Sequence, residues 1–387
     1  MAMCGRGWGK AVGYNEDIPT KEGWKKVFDV TAGDTLYDEN GNYCKVQATY
    51  DWPDKELYRI NFSDRTSVLC CEEHLWNVVE GVNKIDLKNW VNYSKTLTTR
   101  QMIESEKELS IPSTKPVRKE EKDLLIEPYL FGMWLGDGHS KSNEITIGAQ
   151  DRDETYKLLQ EIDKYNWSIK KEKNRNVYRA RMLIKEQYAK RVDYNGRVTG
   201  AMNKSATRYG FDENRRDLGD WAYHKGRKEG FIDRLKELDV YLNKHIPAPY
   251  LQSSVGQRKE LLRGLMDSDG YIDKSKNTCE FCTVKEDLAK GFIELVQSLG
   301  QKCVMYTGRA MCNGKDHGLK YRVYFAPTFD VFKLERKKKL IKPKTNIAYT
   351  RQVVSIEKTN EKGAKCFTVD SPNELFLCTK HYIPTHN

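Results

Sequence analysis

The chain has no uninterrupted apolar run as long as a secretory signal or a membrane-spanning helix requires, so no membrane partner is expected. It also lacks the short cysteine framework of small secreted domains. Its 10 cysteines are spread over 387 residues, which points to a reducing cytoplasm and free thiols. Cys279-x-x-Cys282 has a zinc-knuckle spacing, with Cys303, Cys312 or His317 as conceivable partners. The surrounding NTCEFCTVKEDL reads instead as an alternating strand entering a helix, where buried thiols are expected. Positive charge is in excess. The formal net charge is +11, and residues 169 to 230 hold 17 Lys and Arg against 8 Asp and Glu. A surplus gathered in one stretch suits either a solvated face or a polyanion such as nucleic acid. The length accommodates two or three domains of ordinary size.

A second absence is chemical. The opening segment CGRGWGKAVGYN places Ala11 after Gly9-Lys10, whereas a phosphate-binding loop follows Gly-Lys with a Ser or Thr whose hydroxyl ligates magnesium. VGYNEDIPTKEGW also lacks the apolar helix whose N-terminus would cradle phosphate. A P-loop ATPase built from this stretch is therefore ranked last, and the missing hydroxyl needs another explanation.

From Trp24 to about Lys88 the text alternates at period two, with Asp38-Glu39-Asn40-Gly41 as a hairpin turn, which predicts antiparallel sheet. Residues 100 to 122 are charged and contain two prolines, and read as a linker. Helical periodicity follows in DLLIEPYLFGMWLGDGH, DETYKLLQEIDKY, GQRKELLRGLMDSDGYID and KEDLAKGFIELVQSLG, with short strands between. From about Ile347 the text returns to strand.

The helical part contains a duplication. LFGMWLGDG at 130–138 and LRGLMDSDG at 262–270 each carry small residues four apart, Gly132 and Gly136 in one, Gly264 and Ser268 in the other. Each is followed by a strand and a helix. Small residues at that spacing let two helices approach closely, which predicts a pseudo-twofold pair with Asp137 and Asp269 meeting at the helix ends. Two adjacent carboxylates repel unless a cation lies between them, and a divalent metal there could activate water against a phosphodiester. A lone aspartate in such a place would more simply be the polar end of a buried helix; the repetition argues otherwise.

These paired motifs resemble the LAGLIDADG helices of homing endonucleases over roughly residues 123 to 340, including NKHIP at 243–247. The resemblance implies Asp137 and Asp269 as ligands of Mg2+, and double-stranded DNA, an insertion-free host gene site, as substrate on the sheets beneath the helices. The spacing between the two aspartates is long for the family. The excess overlaps the basic stretch, where Tyr178, Tyr188, Tyr194, Tyr209, Trp221 and Tyr223 alternate with cations, as either an added DNA-contacting segment or a surface loop. Lys173 and Lys302 are the candidates for an assisting lysine.

The chain ends Thr385-His386-Asn387. A junction asparagine can attack its own carbonyl through its side-chain amide, with a neighbouring His as general acid. Residues 11–115 and 345–387 resemble the two parts of an intein's Hint splicing domain. The fold class implied is an all-β, horseshoe-like Hint domain split in sequence by an α+β LAGLIDADG domain at 116–344, the basic insertion lying at about 169–230. By the same resemblance residues 1–10 are an extein remnant, flanking exteins are partners in cis, and the protein is a monomer. Splicing would join Lys10 to the residue after Asn387; if that is Ser or Thr, the product regains a complete P-loop resembling that of phage terminase large subunits.

Inteins ordinarily begin with a nucleophilic Cys or Ser, and Ala11 is neither. CEEHLW places His74 where inteins keep the His that polarises the N-terminal scissile bond, Lys10–Ala11, with Cys71 at the usual Thr. Trp76, Cys366 and Thr385 resemble the Trp-Cys-Thr triplet of class 3 inteins, in which the internal cysteine attacks that bond directly. The resemblance then assigns His74 to protonate the departing Ala11 nitrogen and His386 to assist Asn387. The His usual about ten residues after Cys366 is missing; Asn373, Glu374 or His381 stands in its region. Two alternatives remain: an ordinary intein whose first cysteine is replaced by Ala11, with Trp76 a core residue and Cys366 a buried thiol, or a nuclease or maturase without splicing activity.

Overall fold

The computed structural model describes residues 10–81, 84–86, 94–162, 165–173, 175–184, 190–192, 198–201, 231–312, 314–343 and 347–386. The β-rich segments at the two ends of the sequence share one sheet. Strand Tyr43–Phe62 and strand Ile347–Val369 run antiparallel from Val46↔Val369 to Phe62↔Val353. Their Val, Tyr, Ile and Phe alternate in and out of the pleat, which is why so long a pairing is tolerated. The two-residue strand Val12–Gly13 lies between Ser67–Cys70 and Ile347–Val369. Around it Val12, Ile18, Val30, Ile60, Val68, Trp76, Val78, Ile111, Phe367 and Ile383 form one core.

The expected linker over 100–122 is corrected by the structure. Thr98 and Gln101 cap each other across the first turn of helix Thr99–Ile103, a reciprocal arrangement that satisfies two end donors. Strand Leu109–Pro112 then joins both Leu75–Glu80 and Ile347–Val369. Beyond it Val117 is fully buried and its carbonyl accepts from the buried Arg258 guanidinium. Charged residues here are spaced so that one face stays apolar, and the prolines end the strand instead of loosening it.

Between the β-rich segments are two similar halves. In the first, helix Pro128–Asp137 precedes a sheet in the order 144–148, 177–184, 165–171, with helix Arg152–Gln160 between its first two strands in sequence. In the second, helix Val255–Asp269 precedes a sheet in the order 270–273, 278–283, 315–325, 303–312, with helix Glu286–Ser298 in the matching place. The bridge Gly138↔Ile145 corresponds to Gly270↔Phe281. Residues 169–184, expected as part of the basic insertion, are strands of the first sheet. Arg179 and Arg181 project from it onto Glu144, so their charge marks a sheet face and not an added segment. Tyr178 packs under Arg152. Tyr188, Tyr194, Tyr209, Trp221 and Tyr223 lie outside the described residues.

The two motif helices touch backbone to backbone. A Cβ on Gly132 would come within 2.3 Å of the Leu261 carbonyl oxygen, and one on Gly264 within 2.1 Å of the Tyr129 carbonyl oxygen. The small-residue stripe is therefore required by the crossing itself.

Candidate functional site

Two clusters carry chemistry. The first is set by strand register. Val12 pairs with Lys365 on one side and Cys70 on the other, which puts Ala11 between Cys366 and Cys71. All three are fully buried. Cys71 holds Ala11 at two points: its amide donates to the Ala11 carbonyl at 2.9 Å, and the Ala11 amide donates to its Sγ at 3.2 Å. Burial pushes the Cys366 thiol up to about 11, against the nearby Lys10 ammonium, which pulls it down. Burial likewise raises Cys71 to about 11. Both are thiols at neutral pH, so attack by either requires removal of a proton.

His74 lies behind this row. Its Nε2 makes a short hydrogen bond with Thr385 Oγ1, and both residues are buried. Burial first, then the charges of His386 and Lys10, hold its pKa down to about 3, so the imidazole is neutral. Its Nδ1 is buried without a hydrogen-bond partner among the described residues. Trp76 stands edge-on to it, ring centroids 4.9 Å apart. The Trp76 indole donates to Thr99 Oγ1 at 3.1 Å, and the Thr99 amide donates to the His74 carbonyl at 2.9 Å. Thr99, absent from the sequence candidates, thus ties Trp76 to His74; no spacing in the sequence singles it out.

The second cluster is at the helix ends. A Cβ on Gly136 would lie 3.3 Å from Asp269 Oδ2, so the two aspartates approach across the crossing. Burial and then Asp269 raise Asp137 to about 6; Asp269 is also raised by burial. Two lysines close the helix ends. Lys244 Nζ donates to the Gly136 carbonyl at 2.8 Å. Lys337 Nζ donates to the carbonyls of Met266, Asp267, Ser268 and Gly270 at 2.7 to 3.2 Å. Cations there complete the unsatisfied carbonyls and the negative end of each helix. The aspartate charges in turn counter the downward push of burial, which takes Lys244 to about 8.

Residues 256–326 match the family model of a LAGLIDADG-like domain. The match spans most of helix Val255–Asp269 and the sheet beneath it. Among curated proteins, the replicative DNA helicase DnaB of Mycobacterium intracellulare is 24% identical over 406 aligned positions, covering 98% of this chain and 59% of the helicase. The chain thus spans about three-fifths of that relative's length. Among solved structures, the MchDnaB-1 intein overlaps 18% of this chain and 53% of its own, with 29% identity and a TM-score of 0.17. The homing endonuclease I-DmoI, in complex with DNA and Ca, overlaps 56% of this chain and 95% of its own, with 12% identity and a TM-score of 0.29.

The structure gives the two candidate lysines other surroundings than the motif-helix ends. Lys302 donates to Ser63 Oγ and to the Thr350 carbonyl, on the β-rich sheet, and Lys173 sits exposed on the turn after strand Tyr165–Lys171. Lys244 and Lys337 are the lysines that stand at the motif-helix ends. Lys244 belongs to NKHIP and Lys337 to the basic run FKLERKKKLIKPK; neither has a spacing that singles it out. At the other cluster, Cys71 and not His74 meets the Ala11 nitrogen, while His74 faces Thr385. His386 is the last described residue, opposite Leu375, and Asn387 lies outside the described residues. His381 Nδ1 contacts Gln297 Oε1 at 3.0 Å. Among the described residues no group of three or more His, Cys, Asp or Glu side chains is poised around a metal. The pair Asp137 and Asp269 fits a divalent cation through its paired charge, with further oxygens to come from water or substrate.

Proposed function

We propose that this chain is a class 3-like intein carrying a site-specific endonuclease. The observation that carries the splicing half is the register that sets Ala11 between Cys71 and Cys366, with His74 bonded to Thr385 beside them. Cys366 loses its proton and attacks the Lys10 carbonyl carbon, the bond to the Ala11 nitrogen breaks, and that nitrogen takes up a proton. The product is a thioester on Cys366 and a free Ala11 amine. Cys71, rather than His74, is the group in contact with the departing nitrogen. The acyl group then passes to the Ser or Thr hydroxyl downstream of Asn387, and Asn387 cyclises with His386 as general acid.

The endonuclease half rests on the crossing helices and their paired aspartates. Asp137 and Asp269 would hold Mg2+. Bound there, the cation supplies Lewis-acid activation of water and stabilisation of phosphate charge. Lys244 and Lys337 keep the helix ends, and hence the two carboxylates, in place. The sheet faces take duplex DNA, through Arg179 and Arg181 on one sheet and Arg322 on the other, the last paired with Glu280. The target is the host coding region without the insertion. The host is a P-loop protein; the helicase relative favours a DnaB-like host over a terminase.

Intact mass analysis tests the splicing reading. The chain, extended by Ser and a short peptide after Asn387, is compared with Cys366→Ala and Ala11→Cys variants. Ligation of residues 1–10 to the peptide, lost in Cys366→Ala, supports the internal nucleophile. Ligation only after Ala11→Cys would replace it with an ordinary intein disabled at its first residue. Cleavage of plasmids bearing the insertion-free host site with Mg2+, and its loss in Asp269→Asn, tests the nuclease.

A further inference from the structure

The strand Ile383–His386 brings Thr385 to His74, and the turn before it is strained. Thr379 and Tyr382 have φ of +60° and +51°, a region costly for side chains other than glycine and kept only where the surroundings enforce it. Part of that enforcement comes from the β-rich sheet, where Arg351 Nη2 donates to the His381 carbonyl at 2.9 Å.

The rest comes from the LAGLIDADG-like domain. Gln297 and Glu294 lie one turn apart on helix Glu286–Ser298, inside the matched region. The buried Gln297 accepts from His381 Nδ1 at 3.0 Å, a donor in the neutral imidazole that burial and Arg351 maintain by pushing its pKa down to about 4. Glu294 accepts from Trp24 Nε1 at 3.1 Å, and the Trp24 ring packs on the fully buried Tyr382 at 5.2 Å. Lys119 Nζ donates to the Tyr382 hydroxyl at 3.4 Å and to the Leu251 carbonyl at 3.0 Å. The nuclease reading gives Gln297 and Glu294 no task.

We propose that helix Glu286–Ser298 is a positioning element of the splicing site, acting through Gln297 and Glu294 on the turn that sets Thr385 and His386. The proposal rests on the splicing reading. It requires that the steps at the C-terminal junction depend on the nuclease domain, while attack by Cys366 on the Lys10 carbonyl, built on other strands, does not.

The test uses the full chain extended by Ser and a short peptide after Asn387. Thiol-induced release of residues 1–10 reports attack by Cys366, and release of the peptide reports the C-terminal junction. Gln297→Met keeps the volume and removes the acceptor; Glu294→Leu does the same beside Trp24, and Glu294→Gln restores an acceptor. One neutral hydrogen bond corresponds to a rate factor of about five to ten. Gln297→Met and Glu294→Leu are expected to slow peptide release by about that factor, leave thiol-induced release within about twofold, and Glu294→Gln to recover it. Equal slowing of both steps, or of neither, overturns the proposal. Amide exchange of Ile383, Thr385 and His386 gives a readout independent of splicing. It is expected to quicken in Gln297→Met even in a Cys366→Ala background, and unchanged protection there overturns the positioning role. A wild-type chain inert to thiol but with quickened exchange in the variant removes the splicing reading and keeps the contact.

Discussion

At the scale of single residues, proton transfer to the Ala11 nitrogen is governed by the side chain that touches it, and that side chain is Cys71. His74 was expected at the Ala11 nitrogen, because motif spacing gives a residue's neighbourhood but not which neighbour its ring faces. The hydrogen bond to Thr385 turns it away, and Cys71 Sγ stands at that nitrogen instead. Loss of a group placed for proton transfer costs on the order of a hundredfold in rate. Cys71→Ala should therefore slow thiol-induced release of residues 1–10 by about that factor, and Cys71→Thr, which puts a hydroxyl in place of the thiol, should retain most of the rate. An unchanged rate in Cys71→Ala would return the role to His74. The paired aspartates of the proposed nuclease site respond to pH with a definite sign. The folded-state pKa of Asp137, about 6, lies above its ordinary 3.8. Its stabilising contribution to the metal-free fold is thus complete below about pH 4 and lost as pH rises through about 6. At pH 7.5 in EDTA, Asp137→Asn should be more stable than wild type by on the order of 2 kcal/mol, the gap closing by pH 4. Mg2+ should raise the melting temperature of wild type and not of the variant. Calorimetry with and without EDTA reads both.

At the scale of elements, the duplicated helices were legible and their surroundings less so. Small residues four apart in two apolar segments leave few arrangements other than a close crossing, and the crossing forms at Gly132 and Gly264. Residues 100–122 were misread because their charges and prolines mimic a linker. Only the partner strands from the far end of the sequence, which no local pattern announces, make Leu109–Pro112 a strand. The basic strands over 169–184 read as an insertion for a similar reason: the pairing of Val177–Ile184 with Glu144–Gly148 on one side and Tyr165–Lys171 on the other is set by the fold, not by composition. The crossing yields a paired prediction. Gly264→Ala, whose Cβ would sit 2.1 Å from a backbone oxygen, forces the helices apart and should destabilise by about 3 kcal/mol. Gly256→Ala, in the first turn of the same helix with no atom nearer than 3.8 Å, should stabilise by about 0.5 kcal/mol through the unfolded state. Urea titrations of the two variants decide it, and equal effects would contradict a backbone contact at Gly264.

At the scale of the whole molecule, charge is divided along the same line as chemistry. Residues 116–344 carry 46 Lys and Arg against 33 Asp and Glu, while the rest of the chain carries 20 against 22. The positive surplus therefore belongs to residues 116–344, and the β-rich remainder is close to neutral. Part of it was readable as a polyanion-binding signal, yet composition could not say which residues are already paired. Arg179, Arg181 and Arg322 each meet a glutamate on their own sheet, so DNA would have to exchange those pairs for phosphate or base contacts. The two proposed activities should accordingly respond to salt in different ways. Binding that neutralises about six phosphates falls with a log–log slope of about −5, so affinity for target duplex should drop by roughly three orders of magnitude between 50 and 200 mM KCl. The junction groups Ala11, Cys71, His74, Cys366 and Thr385 are all essentially buried, where screening by ions in solution is weak. Thiol-induced release of residues 1–10 should therefore vary by less than about twofold over the same range. Fluorescence anisotropy of a labelled duplex and gel-based release kinetics, run on one preparation across one salt series, separate the two. A junction reaction that weakens in parallel with DNA binding would mean that the splicing site depends on exposed charge, contrary to the buried arrangement of Cys366 and His74.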